Sequence, residues 1–247
     1  MHRFFVAPQW IDQDNVVING KQVHQLRDVL RMKPGDCITV LDNTGWEYDV
    51  ELKRLTRDGV EGMVRGKSLA AMEPGTKITL YQALLKGNKM EFILQKCTEL
   101  GVVGFVPMLC ERCVHLRLMS EGKLSRWRRI IGEAAEQSQR GKLPFLKQVL
   151  TFEQACQSAL GPSLLAWEGD NLSGLSTALT QLTAKGRSSV NLFIGPEGGF
   201  SSSEVGFAQD CGVTSFTLGR RILRAETASL VATAAILYEY GDLDIPD

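Results

Sequence analysis

The sequence has no net charge: 28 Lys and Arg balance 28 Asp and Glu over 247 residues. A surface of one sign, the mark of a polyanion-coating domain, is therefore excluded for the chain as a whole, although local asymmetry is not. No stretch nears the ~18 apolar residues of a membrane span. The start "MHRFFVAPQW" also lacks an apolar run of signal-peptide length, so a cytoplasmic protein without membrane contact is expected. Cysteine is sparse, with residues only at 37, 97, 110, 113, 156 and 211. That is too few and too scattered for a disulfide framework in a chain this long, and reduced thiols are the default. "CERCVH" brings Cys110, Cys113 and His115 together, but the second Cys/His pair that a structural zinc requires is missing downstream, so no metal is expected. Two nucleotide signatures are absent as well. There is no GxGxxG followed by a ribose-binding acid, and the Gly-Lys-Ser at 66–68 has Glu61 where a P-loop requires its first glycine.

With 44% hydrophobic and 23% charged residues the composition is that of a globular protein, with room for two modest domains. The first seventy residues hold short alternating runs, "CITVLD", "YDVEL" and "GVEGMV", separated by turn signals such as "KPGD". This is an all-β pattern and suggests a small barrel. One helix interrupts it, "KQVHQLRDVLRM", with Val23, Leu26, Val29 and Leu30 on one face and His24, Arg27 and Arg31 elsewhere. The weakly patterned "SLAAMEPGT" at 68–76 precedes a change of rhythm, which sets domains at 1–72 and 73–247. Beyond it, apolar runs alternate with helical patterns: "KITLYQALL", a helix from Asn88 to Leu100 closed by Gly101, "VVGFVPML", "SLLAW", "NLFIG", "TSFTLG", and a final helix in "AETASLVATAAILYEY". Such alternation means an α/β domain with a mostly parallel sheet covered by helices. The final helix has almost no polar face, so it is expected to be buried in the core or against another subunit. Charge is unevenly placed. Between Arg112 and Lys147 nine Lys/Arg face three Glu, whereas Glu226 to Asp247 contains five acids and no base. The basic region fits either a polyanion groove or a solvated helix face.

Ligands of open parallel sheets bind where the strands end at their carboxyl edges. Three such edges carry unusual residues: "AWEGD" after Ala166, "GPEGGF" after Ile194 and "LGRRILRAE" after Thr217. The middle loop runs into a capping box of Ser201 with Glu204 that starts the next helix. Pro and Gly suit a plain turn, but glycine also lets backbone amides come close to a bound molecule. The flanking apolar residues Leu218, Ile222 and Leu223 favour a flat base with a neutral or zwitterionic tail over a pyrophosphate.

"IGPEGGFSSSE" followed by "LGRRILRAETA", with "QKCTELGV", "RWRRIIGEAAEQSQR" and "HQLRDVLRMKPGD" upstream, resembles the RsmE family of SPOUT methyltransferases. The likeness runs from "RFF" at residue 3 to the final helix. Members of that family methylate N3 of a uridine in 16S ribosomal RNA. The resemblance implies a PUA-like RNA-binding β-barrel followed by a SPOUT-type α/β domain whose end is threaded into a trefoil knot. It also implies S-adenosylmethionine as donor, no metal, and a homodimer with its site near the subunit interface. The substrate it implies is 16S rRNA, and whether as free RNA or within the assembled 30S subunit stays open in the sequence. Carried over residue by residue, the donor loops comprise Leu165 and Trp167; Gly195, Pro196, Gly198 and Gly199; and Leu218, Gly219, Ile222 and Leu223.

Methyl transfer to N3 requires that the uracil lose its N3 proton, either to a base or because a cation stabilises the anion. Arg224, which follows a donor loop and opens the final helix, is the candidate cation; an ion pair with a nearby acid is its structural alternative. Glu197 is a candidate base or, alternatively, a hydrogen-bond acceptor that braces its loop. For RNA contact the candidates are His24, Arg27 and Arg31 on the first helix, with Gln137, Arg140 and Lys142 at the end of "RWRRIIGEAAEQSQR" and just beyond. There Leu124, Trp127, Ile131, Ala134 and Ser138 form the expected buried stripe, and Arg140 and Lys142 are left free for phosphate. Two rivals stay open: the same fold acting on another RNA atom, and an RNA-binding assembly factor with a vestigial donor site.

Overall fold

The structure, a computed structural model, describes residues 1–113, 120–169, 173–183 and 189–244. It divides into two compact units: Met1–Glu73 with Ala135–Leu143, and Pro74–Ala134 with Pro144–Asp247.

The first unit contains β1 (Arg3–Phe5), β2 (Ile11–Asp12), β3 (Asn15–Asn19), α1 (Lys21–His24), β4 (Cys37–Leu41), β5 (Trp46–Leu55) and β6 (Gly59–Leu69). The strands form one sheet in the order β1-β4-β5-β6-β3-β2, parallel between β1 and β4 and antiparallel elsewhere. Alternation decides which side chains enter the core. Val16 and Ile18 of β3 are buried and Val17 between them is exposed, while Val50 and Leu52 of β5 repeat the pattern against Phe4, Ile38 and Val40. The helix departs from expectation. α1 gives way at once to a π-helical stretch, Gln25–Val29, with Leu30 N–H donating to the Gln25 carbonyl at 2.9 Å. The wider turn breaks the 3.6-residue periodicity. Val23 and Leu26 stay buried, but Val29, expected on the same face, is 64% exposed.

The second unit holds β7 (Lys77–Ala83), α2 (Lys89–Leu100), β8 (Gly104–Leu109), α3 (Glu121–Gln137, whose last turn from Ala135 belongs to the first unit), β9 (Phe145–Leu146), β10 (Leu150–Thr151), α4 (Phe152–Ser158), β11 (Ser163–Ala166), α5 (Leu175–Thr183), β12 (Ser189–Ile194), α6 (Ser202–Asp210), β13 (Thr214–Phe216) and α7 (Ala225–Glu239). Its sheet runs β10-β8-β7-β12-β11-β13 with β9 also beside β8, and every pairing is parallel. The α/β reading with a parallel sheet therefore holds. Both faces are covered, so the strands read as continuous apolar runs. Ile78, Leu80, Leu164 and Leu192 face the layer that contains α2 and α7, while Tyr81, Ala83, Leu165 and Phe193 face α4 and α6. α2 buries Met90, Ile93, Leu94 and Cys97 at helical spacing, and Gly101 closes it with its amide on the Cys97 and Thr98 carbonyls. Among the described residues no helix is long and apolar enough to cross a membrane.

The basic segment after α3 also differs from expectation. α3 ends at Gln137 and Gln139 takes φ +60°, so the expected stripe stops short of Ser138, and Arg140, expected off that stripe on the same helix, lies beyond the helix. Arg140 turns inward and is 2% exposed. Its guanidinium donates to both Glu73 oxygens, Nε to Oε1 at 3.2 Å and Nη2 to Oε2 at 3.0 Å, and the amides of Gly141 and Lys142 add donors to Oε1. Arg140 is therefore not free for phosphate, and that expectation is corrected. Removing one partner of such a buried pair leaves an uncompensated charge. Arg140→Ala is expected to lower the unfolding free energy by roughly 3–5 kcal/mol, measured by urea denaturation. A change within a few tenths of wild type would mean that Glu73 is satisfied without it.

Candidate functional site

Because the strands are parallel, the segments following β11, β12 and β13 emerge on one edge of the sheet, and they surround a cavity of ≈ 720 Å³. The first segment, Ala166 to Gly169, is anchored by the Trp167 amide on the Phe216 carbonyl at 2.9 Å. A side chain at 169 would collide with the Trp167 ring, 2.3 Å from where its Cβ would stand. In the second, Gly199 has φ +67° and turns its amide back to the Pro196 carbonyl at 3.0 Å. Phe200 is then buried, and the Ser201–Glu204 capping box launches α6. In the third, Gly219 at φ +104° closes a small loop, its amide on the Thr217 hydroxyl at 3.3 Å and its carbonyl accepting from that hydroxyl at 3.1 Å. Ile194, Ala225 and Ala228 supply an apolar floor. Small apolar side chains together with glycine backbone in one lining suit a flat, uncharged ring.

The charges around the slot are of two kinds. Some are spent on structure. Lys89 donates to Glu197 at 3.0 Å and lies 4.0 Å from Glu226, so it ties the second loop to the first turn of α7. The Lys86 amide donates to the same Glu197 oxygen at 3.3 Å, and Arg112 Nη1 donates to the Gly198 carbonyl at 2.9 Å. Burial acts to raise the Glu197 carboxyl, but hydrogen bonds from its own amide, Lys89 and Lys86, with the Lys89 charge, outweigh it and hold the group below the ordinary range. A carboxylate so stabilised is a poor proton acceptor, and these contacts support the loop-bracing alternative. Others are uncommitted. Arg221 and Arg224 line the cavity, are exposed, and have no ion-pair partner among the described residues. Arg224 occupies the N-cap of α7 in extended conformation.

Of the residues expected at a donor, Trp167, Gly195, Pro196, Gly198, Gly199, Leu218, Gly219, Ile222 and Leu223 line this cavity. Leu165 does not. It is fully buried in β11 on the α4–α6 side of the sheet, and Ala166, one residue on, takes the place at the rim. Lys89 and Arg112 went unnoticed in the sequence because they arrive from elements distant along the chain. The alanines of α7 carried a signal in "AETASLVA", where small residues recur at helical spacing.

The six residues proposed for RNA all belong to the first unit. Gln137, Lys142 and Arg31 are exposed, and Arg31 takes φ +54°. His24 and Arg27 share one acid: Asp28 lies 2.6 Å from His24 Nδ1 and 2.8 Å from Arg27 Nη2. The Arg27 hydrogen bond, then that of His24, holds Asp28 well below the usual carboxylate range. On α3 the basic excess is likewise offset, with Arg126 paired to Glu91 and Arg128 to Glu121, both at 2.7 Å. Among the described residues no group of three or more His, Cys, Asp or Glu could hold a metal, and His115 lies outside them.

Comparison with known proteins places this geometry in context. Residues 72–237 match the model of the RNA methyltransferase domain family. The chain is 39% identical over 238 residues to ribosomal RNA small subunit methyltransferase E of Synechocystis sp., covering 95% of this chain and 77% of that protein. With its namesake from Bacillus subtilis it shares 36% identity over 251 residues, covering 97% of each. A crystal structure of a ribosomal RNA small subunit methyltransferase E from Neisseria gonorrhoeae bound to S-adenosyl methionine is similar with TM-score 0.86 and 30% identity, over 97% of this chain and 98% of that one.

The Lys89 bridge has a testable pH signature. Glu197 is held below its ordinary value of 4.5 in the folded protein, so the pair's stabilisation is fully present above that value and is lost as pH falls through the lower folded value. Both side chains are partly exposed, which limits the pair to roughly 1 kcal/mol or less. Lys89→Met is therefore expected to lower unfolding free energy by that amount at pH 7, with the gap to wild type closing in acid. Denaturant titrations at neutral and acidic pH check this, and a gap that widens in acid would contradict it.

Proposed function

We propose that this chain, which belongs to the ribosomal RNA small subunit methyltransferase E family and is an rRNA methyltransferase, transfers a methyl group from S-adenosylmethionine to N3 of a uridine in 16S rRNA. The observation that carries the reading is the convergence of three carboxyl-edge loops on one apolar slot with Arg224 uncommitted at its rim. The residues present fit the donor. The apolar lining of Ile194, Ala225 and Ala228 accepts a flat adenine, and the glycine loops let backbone come close to its edge and the polar tail. When bound, the sulfonium supplies an already activated methyl group. The chain then has to hold the acceptor nitrogen in line and exclude water.

The remaining chemistry concerns the N3 proton. As it leaves, negative charge spreads onto the uracil oxygens, and a guanidinium placed to donate to one of them stabilises that anion. Arg224 takes this role and Glu197 braces the loop. RNA is met by Lys142, Gln137 and Arg31, with His24 and Arg27 sharing Asp28. Arg140 acts indirectly by holding this segment folded.

For the first unit we adopt a PUA-like barrel, and for the second a chain end threaded as a trefoil knot, on the strength of the family resemblance. A cytoplasmic homodimer acting on the assembled 30S subunit completes the reading. α7 supports the dimer: one side of it is buried, while Val231 and Tyr238 are 44% and 71% exposed. Apolar side chains on the open side of an otherwise buried helix suit a twofold contact.

The test is methyl transfer to purified small subunits and to free 16S rRNA, with the product identified by nucleoside mass analysis. 3-Methyluridine on the subunit is the expected outcome; a methylated ribose or another base would redirect the reading. In single-turnover assays at saturating donor, Arg224→Ala is expected to slow transfer by on the order of 10², the usual loss of one anion-stabilising donor. Arg224→Lys, which keeps the charge but not the fork, should recover part of it. The alanine variant should also regain rate as rising pH deprotonates the uracil in solution. Wild-type turnover, or a defect confined to RNA affinity, would return Arg224 to a structural role.

A further inference from the structure

The segment "CERC", residues 110–113, follows β8 and takes no part in the transfer chemistry. It forms a tight turn in which Cys113 N–H donates to the Cys110 carbonyl at 3.0 Å and Cys110 N–H donates back to Cys113 Sγ at 3.3 Å. The residues between the two thiols reach the donor loop and the helix after it. Arg112 donates to the Gly198 carbonyl at 2.9 Å, and the Glu111 amide donates at 2.8 Å to Glu204, whose carboxylate caps α6.

We propose that Cys110 and Cys113 form a thiol–disulfide pair, closed by hydrogen peroxide, whose oxidation loosens the hold of Arg112 on the donor loop. The coupling rests on the donor reading of the cavity; the pair itself does not. A four-residue turn keeps its end Cα atoms within ~7 Å, inside the span a disulfide can bridge. Of the two, Cys113 is the nucleophile. The Cys110 N–H donates to its sulfur, and the hydrogen bond from the Cys110 thiol, opposed by burial, holds it below the ordinary thiol range, which favours the thiolate there over Cys110. Burial instead pushes Cys97 and Cys156 up to about 12, which leaves them inert. The pair is nearly enclosed, at 3% and 8% exposure, which favours a small oxidant over a bulky disulfide.

The Cys113 thiolate attacks one peroxide oxygen, the O–O bond breaks, and hydroxide leaves to take up a proton as water. The resulting sulfenic acid is attacked at sulfur by Cys110; the S–O bond breaks, and a second water departs with the Cys110 proton. Two thiols lose two electrons, and one peroxide becomes two waters. Drawing the sulfurs to a bond of ~2.05 Å shifts the backbone of Glu111 and Arg112 between them.

The chain offers a direct readout, because trypsin cuts after Arg112, between the two cysteines. Full-length protein treated with peroxide should yield a peptide ending at Arg112 that stays joined to "CVHLR" until reductant is added, with fragmentation placing the link at Cys110. S-adenosylmethionine affinity, by calorimetry, should fall roughly three- to tenfold on oxidation, the factor one lost hydrogen bond is worth. It should recover with dithiothreitol, and Cys113→Ser should not respond to peroxide. Unlinked peptides, or stoichiometric zinc in the purified protein, would overturn the pair. Linked peptides with unchanged affinity would overturn the coupling. Reduced protein that does not bind the donor would instead sink the donor reading, and the peptide map would still decide the pair.

Discussion

Parallel strand pairing is the constraint on which the rest of the second unit depends. In a parallel sheet every strand ends at the same edge, so loops separated by dozens of residues are brought side by side without any affinity between them. Here β11, β12 and β13 are hydrogen-bonded in register, Leu165 with Phe193 and with Ser215. That register carries the segments after Ala166, Ile194 and Phe216 to a common edge. The helices between the strands cover both faces, which keeps the sheet dry and the edge rigid. The cavity is thus a consequence of topology first and of loop sequence second.

Loop sequence then decides what the cavity accepts. Positive φ at Gly199 and Gly219 closes each loop on itself, Gly199 on the Pro196 carbonyl and Gly219 on the Thr217 hydroxyl, so both stay tight at the edge of the cavity. Ile194 of β12 and Ala225 and Ala228 of α7 give it an apolar lining that suits an aromatic ring. Around this neutral slot the charges divide by commitment. Lys89, Arg112 and Glu197 bind one another's elements and hold the loops, whereas Arg221 and Arg224 are uncommitted among the described residues. A group already satisfied by protein contacts has little left to offer a reacting atom, and this difference separates bracing residues from candidate catalytic ones.

The same test of commitment revises the RNA surface. A count of basic residues from 112 to 147 overstates the charge available to phosphate, since Arg126, Arg128 and Arg140 are each paired with an acid. Arg140 is the extreme case. Its pairing with Glu73 joins the segment after α3 to the segment after β6 within the first unit, so a residue that looked like a ligand contact is a structural tie.

Much was legible in the sequence because it is written in local physics. Period-two and period-3.6 apolar patterns gave the strands and α2, turn chemistry gave Gly101 and the Ser201–Glu204 cap, and glycine-rich loops at strand ends marked where a ligand would sit. Each depends on neighbours within a few residues. The failures lie where distant parts of the chain meet. Leu165 adjoins the rim by number but faces the opposite layer, because strand side chains alternate. Val29 was displaced by a π turn, and Arg140 by a left-handed residue that ended the helix early. Lys89 and Arg112 reach the slot from α2 and from the turn after β8, and no local pattern announces that. Periodicity fixes which face of an element is apolar; only packing decides what that face meets, which charges are neutralised, and which remain to act on a substrate.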